Sequence, residues 1–141
     1  MKLLKYPIEI ILAILGAALC LAVTVPVSRL FDLKGPIWSG PDLYFIEIPA
    51  VCVVAAGLSL RGGELGRVAL WISAGIVFAF SLLGLSIGLY YLPVLVLLII
   101  SALVADKRAN QPITKSVGRF FVAGIMLEVL NLVMAYFLSE Y

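Results

Sequence analysis

The chain has 141 residues, 64% of them hydrophobic and 13% charged, and its formal net charge is only +2. Soluble domains average about 25% charged residues, so this composition excludes a soluble domain, and the small net charge gives no reason to expect a nucleic-acid partner. Histidine is absent and the two cysteines lack metal-binding spacing, so we expect no catalytic centre, no cofactor and no metal site.

The apolar residues form long runs separated by short polar segments, which is the pattern of membrane-spanning helices. The first predicted helix, at about 7–28, begins at Pro7, where a missing backbone N–H costs nothing. Two Gly-Pro pairs then mark turns, and Asp42 is placed to cap a second helix at about 43–60.

Residues 68–105 contain no charge, and their 38 residues are too long for one span. As a single helix they extend about 57 Å, which no bilayer matches. The segment from Gly88 to Pro93 offers two tyrosines for the membrane interface and a proline to begin a new helix. We therefore predict helices at about 68–88 and 92–105, followed by a polar loop over 106–117 and a last helix at about 119–138.

Lysine and arginine are distributed unevenly between the two sides of this five-helix arrangement. With the N-terminus inside, eight of the ten lie on the inner side: Lys2, Lys5, Arg61, Arg67, Lys107, Arg108, Lys115 and Arg119. Arg29 and Lys34 lie outside. We predict one all-α bundle of five transmembrane helices over residues 1–141, in the inner cell membrane, with a cytoplasmic N-terminus and an external C-terminus.

Glu128 lies near the middle of the last predicted helix, on a face that it shares with Gly124 and Asn131. No lysine, arginine or histidine falls within a predicted span, so we expect Glu128 to be protonated or paired with a neighbouring subunit. Two interpretations remain open. Glu128 binds a proton or a substrate, or it is a neutral side chain that pins helices through hydrogen bonds to Asn131, Ser81 or Cys52.

Glu47 lies near the start of the second predicted helix, two residues before Pro49, which frees a backbone carbonyl. It either lines a polar vestibule that opens outward or extends its carboxylate to the interface. Glu9, Glu128 and Glu47 lie at successive depths from the inner to the outer side. A proton relay across the membrane through these three acids is a further hypothesis.

Small residues mark the predicted helix contacts. Gly84 and Gly88 are one turn apart on the third predicted helix, and Gly124 lies on the last. Glycine at these positions allows two backbones to approach closely. Cys20 and Cys52 fall at similar depth on the first two helices, where we expect them to pack as small apolar side chains.

Two functional hypotheses follow from these features. The first is a non-enzymatic integral membrane protein that serves as an accessory or structural subunit. Its partners are then the lipid bilayer and either other membrane subunits or a second copy of the chain. The alternative is a proton-coupled transporter or channel for small solutes that uses the intramembrane carboxylates. An intramembrane enzyme ranks behind both, because no nucleophile–base pair is recognisable.

Overall fold

The computed structural model describes residues 8–30, 42–61, 63–83 and 88–139, which are helical almost throughout. Four helices precede the C-terminal one: α1 (Ile8–Leu30), α2 (Asp42–Arg61), α3 (Gly63–Leu83) and, after a 3-10 turn at Leu89–Tyr91, α4 (Leu92–Arg108). The last, α5, joins an α-helical turn (Ile113–Ser116), a π-helical segment (Val117–Phe121) and a longer α-helix (Val122–Ser139). No strand occurs among the described residues, so the all-α prediction is confirmed for them.

Four segments within the described part of the chain are long and apolar enough to cross a membrane. They are Ile8–Pro26, Gly63–Leu82, Leu89–Arg108 and Ile113–Met134. Their length and composition indicate a multi-pass membrane protein, because a helix of about 20 apolar residues matches the hydrocarbon thickness of a bilayer.

α3 begins earlier than the sequence pattern predicts. Gly63 adopts a φ of 76°, a conformation that glycine reaches without strain, and the helix starts there rather than at 68. Glu64 in the first turn is favourable to the helix dipole. As a result Arg67 belongs to a candidate span. At the other end α3 is described as far as Leu83, Gly84 lies outside the described residues, and Gly88 comes directly before the 3-10 turn.

The loop predicted over 106–117 is much shorter in the structure. α4 continues through Asp106 to Arg108, and α5 starts at Ile113. Asn110, with a φ of 51°, forms the turn between them. Asp106 is fully buried because it has hydrogen-bonding partners on α3.

α3 occupies the centre of the bundle and packs against α2, α4 and α5, while α1 packs against α2 and α4. Glu9 and Ser59 line one cleft with Arg67, so the start of α1, the end of α2 and the start of α3 meet at one end. We call this the Arg67 end. At the opposite end Thr24 of α1 hydrogen-bonds Tyr91, which directly precedes α4, and we call it the Tyr91 end. Consecutive helices therefore run antiparallel.

Candidate functional site

The contact between α3 and α5 positions Glu128. A Cβ atom added to Gly75 would lie 2.2 Å from the carbonyl oxygen of Phe121, and one added to Gly124 would lie 2.1 Å from that of Ile72. Only glycine fits such separations, so the two backbones touch at this crossing. Glu128 lies one turn beyond Gly124 and is therefore directed at α3.

Gly88 makes a close approach of a different kind. It lies just before the 3-10 turn, and a Cβ atom there would be 2.4 Å from the carbonyl oxygen of Ser81. This glycine therefore packs the turn back against the last residues of α3. Its role concerns the α3–α4 connection rather than a contact between two membrane-spanning helices.

Glu128 is completely buried. Neither of its carboxyl oxygens accepts a hydrogen bond from any described residue. Two of the partners that the sequence indicated make no hydrogen bond to Glu128: Ser81 donates to the backbone carbonyl of Val77, and Cys52 lies in the buried apolar core together with Cys20. The helix-pinning interpretation requires hydrogen bonds to Glu128, and the described residues supply none.

Asn131, the third proposed partner, hydrogen-bonds Glu47 on α2 instead. Its side-chain amide donates to the Glu47 carboxyl group, which joins two residues that lie 84 positions apart. The Glu47 and Glu128 carboxyl groups are also close enough to interact electrostatically. The structure therefore brings Glu47, Asn131 and Glu128 together, and we call these three residues the carboxylate cluster.

Glu9 lies at the Arg67 end, away from the carboxylate cluster. One of its carboxyl oxygens accepts a hydrogen bond of 2.8 Å from Arg108. Cys20 of α1 and Cys52 of α2 serve as a common depth mark on these two antiparallel helices. The residues from Glu9 to Cys20 and from Cys52 to Glu47, at 1.5 Å each, give an axial separation of about 24 Å between Glu9 and Glu47. Direct proton steps need hydrogen-bond or single-water reach, so Glu9 and Glu47 are not neighbours in a relay.

A buried polar network at the Arg67 end was not anticipated from the sequence. Arg67 of α3 donates 3.0 Å hydrogen bonds both to Asp106 of α4 and to Ser116 of α5. The indole N–H of Trp71 donates to the other Asp106 oxygen at 2.9 Å. Phe120, in the π-helical segment, places its ring 6.0 Å from the Arg67 guanidinium. Arg67 thus links α3 to α4 and α5, and its charge is paired with that of Asp106.

Next to this network lies an open cleft of about 370 Å³. Its walls include Glu9, Arg67, Arg108 and the exposed Glu64, which lies 3.6 Å from Arg67. Positive and negative groups alternate here and largely neutralise one another. The cleft differs from the carboxylate cluster, where the described residues bring acids together without a base.

A sequence signal for the Arg67 network did exist. Arg67 and Trp71 are separated by one helical turn, and Asp106 ends a charge-free run. Recognising the network required α3 to begin before Arg67, whereas the glycines at 62, 63 and 66 favoured a turn there. No group of three or more cysteine, aspartate or glutamate side chains with metal-binding geometry occurs among the described residues.

Comparison with known proteins gives no match: no family model fits the chain, and neither a curated protein nor a solved structure resembles it significantly. Function must therefore be inferred from the side chains themselves.

Proposed function

We propose that this chain is a multi-pass transport protein that moves protons, alone or coupled to a small solute, through Glu47 and Glu128. The observation that carries the proposal is the complete burial of Glu128, with both carboxyl oxygens lacking a donor among the described residues. A carboxyl group in that position is costly to ionise and binds a proton in preference.

The pairing of two acids supports the same proposal. Glu47 and Glu128 interact electrostatically, and the contact with Asn131 holds Glu47 close to α5. Two carboxyl groups that repel each other in a partly buried site do not both ionise easily, so such a pair retains one proton and releases it when its surroundings change. Reversible proton binding of this kind is what a membrane proton carrier requires.

Five spans with the N-terminus in the cytoplasm of the inner membrane are part of the proposal. α2 has 20 residues, about 30 Å in length, and runs between α1 and α3 in the bundle. With α2 counted as a span, the Arg67 end carries Arg61, Lys107 and Lys115. The excess of positive residues on cytoplasmic loops then assigns that end to the cytoplasm. A reporter enzyme that is active only outside the cytoplasm, fused after Tyr141, tests this orientation and is expected to be active.

Proton flux in proteoliposomes is the direct test. The purified protein is reconstituted with a pH-sensitive dye inside, and an inward proton gradient is imposed together with a potassium diffusion potential. We expect faster acidification than in protein-free vesicles. In the variant Glu128→Gln the rate is expected to fall to that of protein-free vesicles, because an amide has nearly the same shape but cannot carry a proton.

The matched control is Glu64→Gln, which alters an 81% exposed glutamate side chain near the Arg67 end and is expected to leave the flux unchanged. Flux in Glu128→Gln equal to that of the wild type contradicts the proposal. So does a wild-type protein that acidifies vesicles no faster than lipid alone, with any of a panel of small solutes present on one side.

A second candidate function is an accessory subunit without catalytic activity. The large exposed surface of α5 favours it. Only 11% of the apolar window in α5 is buried inside the structure, compared with 67% in α3. Side chains such as Met126, Leu127 and Leu130 are at least half exposed. They are available for contact with the helices of another membrane protein as well as with lipid.

Leu130→Trp tests this second function. Tryptophan is tolerated by lipid, whereas it disrupts close helix packing, so the variant should dissociate from a larger assembly that the wild type forms in a mild detergent. Leu15→Trp on the exposed face of α1 is the control. Wild-type protein that migrates as a single copy of the chain after gentle extraction from its own membrane contradicts the subunit function.

A further inference from the structure

The cleft at the Arg67 end lies where three of the helices begin or end. α1 begins at Ile8, α2 ends at Arg61 and α4 ends at Arg108, and residues close to all three positions line the cleft of about 370 Å³. A helix of about 20 apolar residues covers the hydrocarbon of a bilayer, so the ends of such helices lie at the level of the lipid headgroups. Lipid headgroups therefore have direct access to the cleft.

Glu9 brings an unpaired acceptor to this cleft. The residue is 8% exposed, and one of its carboxyl oxygens accepts a hydrogen bond from Arg108. The other oxygen is buried and accepts none from any described residue. A buried acceptor without a donor carries a desolvation cost, which is larger for a charged group. A donor supplied by a ligand removes that cost, and the acidic group favours a donor that is positively charged.

Groups that favour an anion lie beside Glu9. The Arg108 side chain is 60% exposed and lies 2.8 Å from Glu9, and a guanidinium has more N–H donors than this one contact uses. Gly63 and Gly66, in the first turn of α3, also line the cleft. The first N–H groups of a helix have no partner within it, and they favour a negative charge. The cleft thus presents an acceptor for a cation next to donors for an anion.

We propose that the cleft binds the phosphoethanolamine headgroup of a phospholipid. The ammonium group donates to the free oxygen of Glu9, and the phosphate accepts hydrogen bonds from Arg108 and from the start of α3. The two ligand charges are neighbours within one headgroup, as Glu9 and Arg108 are neighbours in the cleft. Binding of this headgroup is separate from proton transport, because the carboxylate cluster takes no part in it.

The chemistry of the cleft selects among headgroups. Phosphocholine has no N–H donor for Glu9, and quaternary ammonium groups are recognised by aromatic side chains. No aromatic residue is among the described residues that line the cleft. Phosphoglycerol carries only a negative charge, which leaves the Glu9 oxygen without a cation and adds a charge close to Glu64, another acid in the lining. A zwitterion with a primary amine suits both kinds of group.

Native mass spectrometry of the full chain in detergent tests the proposal. The protein is offered equal amounts of phosphatidylethanolamine, phosphatidylcholine and phosphatidylglycerol with identical acyl chains. We expect about tenfold more bound phosphatidylethanolamine than either of the others, the factor that one charged hydrogen bond contributes. Glu9→Gln should abolish this preference, because the amide lacks the charge that pairs with the ammonium. Arg108→Gln should weaken the binding of all three lipids, because each carries a phosphate.

The matched control is Glu128→Gln, which alters an acid that does not line the cleft and is expected to keep the lipid preference of the wild type. Unchanged circular dichroism verifies that each variant folds. Equal retention of the three lipids by the wild type overturns the proposal, and so does a preference that survives in Glu9→Gln. Water-soluble glycerophosphoethanolamine is expected to bind far more weakly, because it lacks acyl chains that pack against apolar helices. Equal affinity for it overturns a lipid as the occupant.

Discussion

The two ends of the bundle differ in the hydrogen-bond donors that surround a buried carboxyl group. At the Arg67 end, Asp106 is fully buried and accepts hydrogen bonds from Arg67 and Trp71. Toward the Tyr91 end, Glu128 is equally buried, and no described residue donates to it. Burial is therefore the same for Asp106 and Glu128, and the two carboxyl groups differ in the supply of hydrogen-bond donors.

This difference has an energetic basis. A buried carboxylate that is paired and hydrogen-bonded holds its helices together, and removal of one partner leaves an uncompensated charge. A buried carboxyl group without donors contributes nothing comparable and persists at the expense of stability. Intramembrane acids of this kind are candidates for function, so the proposal of proton transport rests on the carboxylate cluster and not on the Arg67 network.

The largest expected effect is that of breaking the Arg67 network. Arg67→Met removes the cation from Asp106 and leaves a buried charge, which is expected to lower the free energy of unfolding by about 3–5 kcal/mol. Unfolding followed by circular dichroism in mixtures of neutral detergent and sodium dodecyl sulfate measures this change. Adding Asp106→Asn to the variant should recover most of the loss, and a double variant as unstable as the single one contradicts the explanation.

The second largest effect on the free energy of unfolding is expected at the glycine contact that sets the position of Glu128. Gly124→Ala places a Cβ atom 2.1 Å from the Ile72 carbonyl oxygen and 3.0 Å from the Gly75 Cα, so α5 must shift away from α3. Overpacking of this kind costs about 1–3 kcal/mol in the same unfolding measurement. Gly118→Ala on the same helix is the matched control, because nothing lies within 4 Å of the added atom there. Equal losses in the two variants contradict the close contact.

Glu128→Leu is expected to change stability in the opposite direction. Removal of a buried carboxyl group without donors relieves a desolvation cost, so the free energy of unfolding should rise by about 1–2 kcal/mol. The same variant should carry no protons in the liposome assay. If instead the protein loses stability, Glu128 has a hydrogen-bonding role and the contrast with Asp106 fails.

The smallest effect is expected at the ion pair between Arg108 and Glu9. The Arg108 side chain is 60% exposed, and exposed pairs contribute less than about 1 kcal/mol. Arg108→Gln should therefore change stability within that range, and raising the salt concentration should reduce the difference further. A loss of unfolding free energy as large as that of Arg67→Met contradicts the expectation that the exposed Arg108 contributes less to stability than the buried Arg67.

Sequence patterns were sufficient where a property depends on neighbouring residues in the chain. The long apolar runs predicted an all-helical chain, and the break before Pro93 was placed where the 3-10 turn at Leu89–Tyr91 leads into α4. The candidate residues Glu47, Glu128 and Asn131 were found because a polar side chain within an apolar run is costly and therefore noticeable. Hydropathy and helical period are local properties.

Only the tertiary structure decided which residues meet. Asn131 contacts Glu47 at a distance of 84 residues along the chain, and Arg67 reaches Asp106 over 39. Helices that are apolar on most faces carry little information about which neighbour each face will meet, since lipid and protein are both acceptable contacts. For that reason Gly124 could be recognised as a packing residue from the sequence, whereas its contact with Gly75 could not.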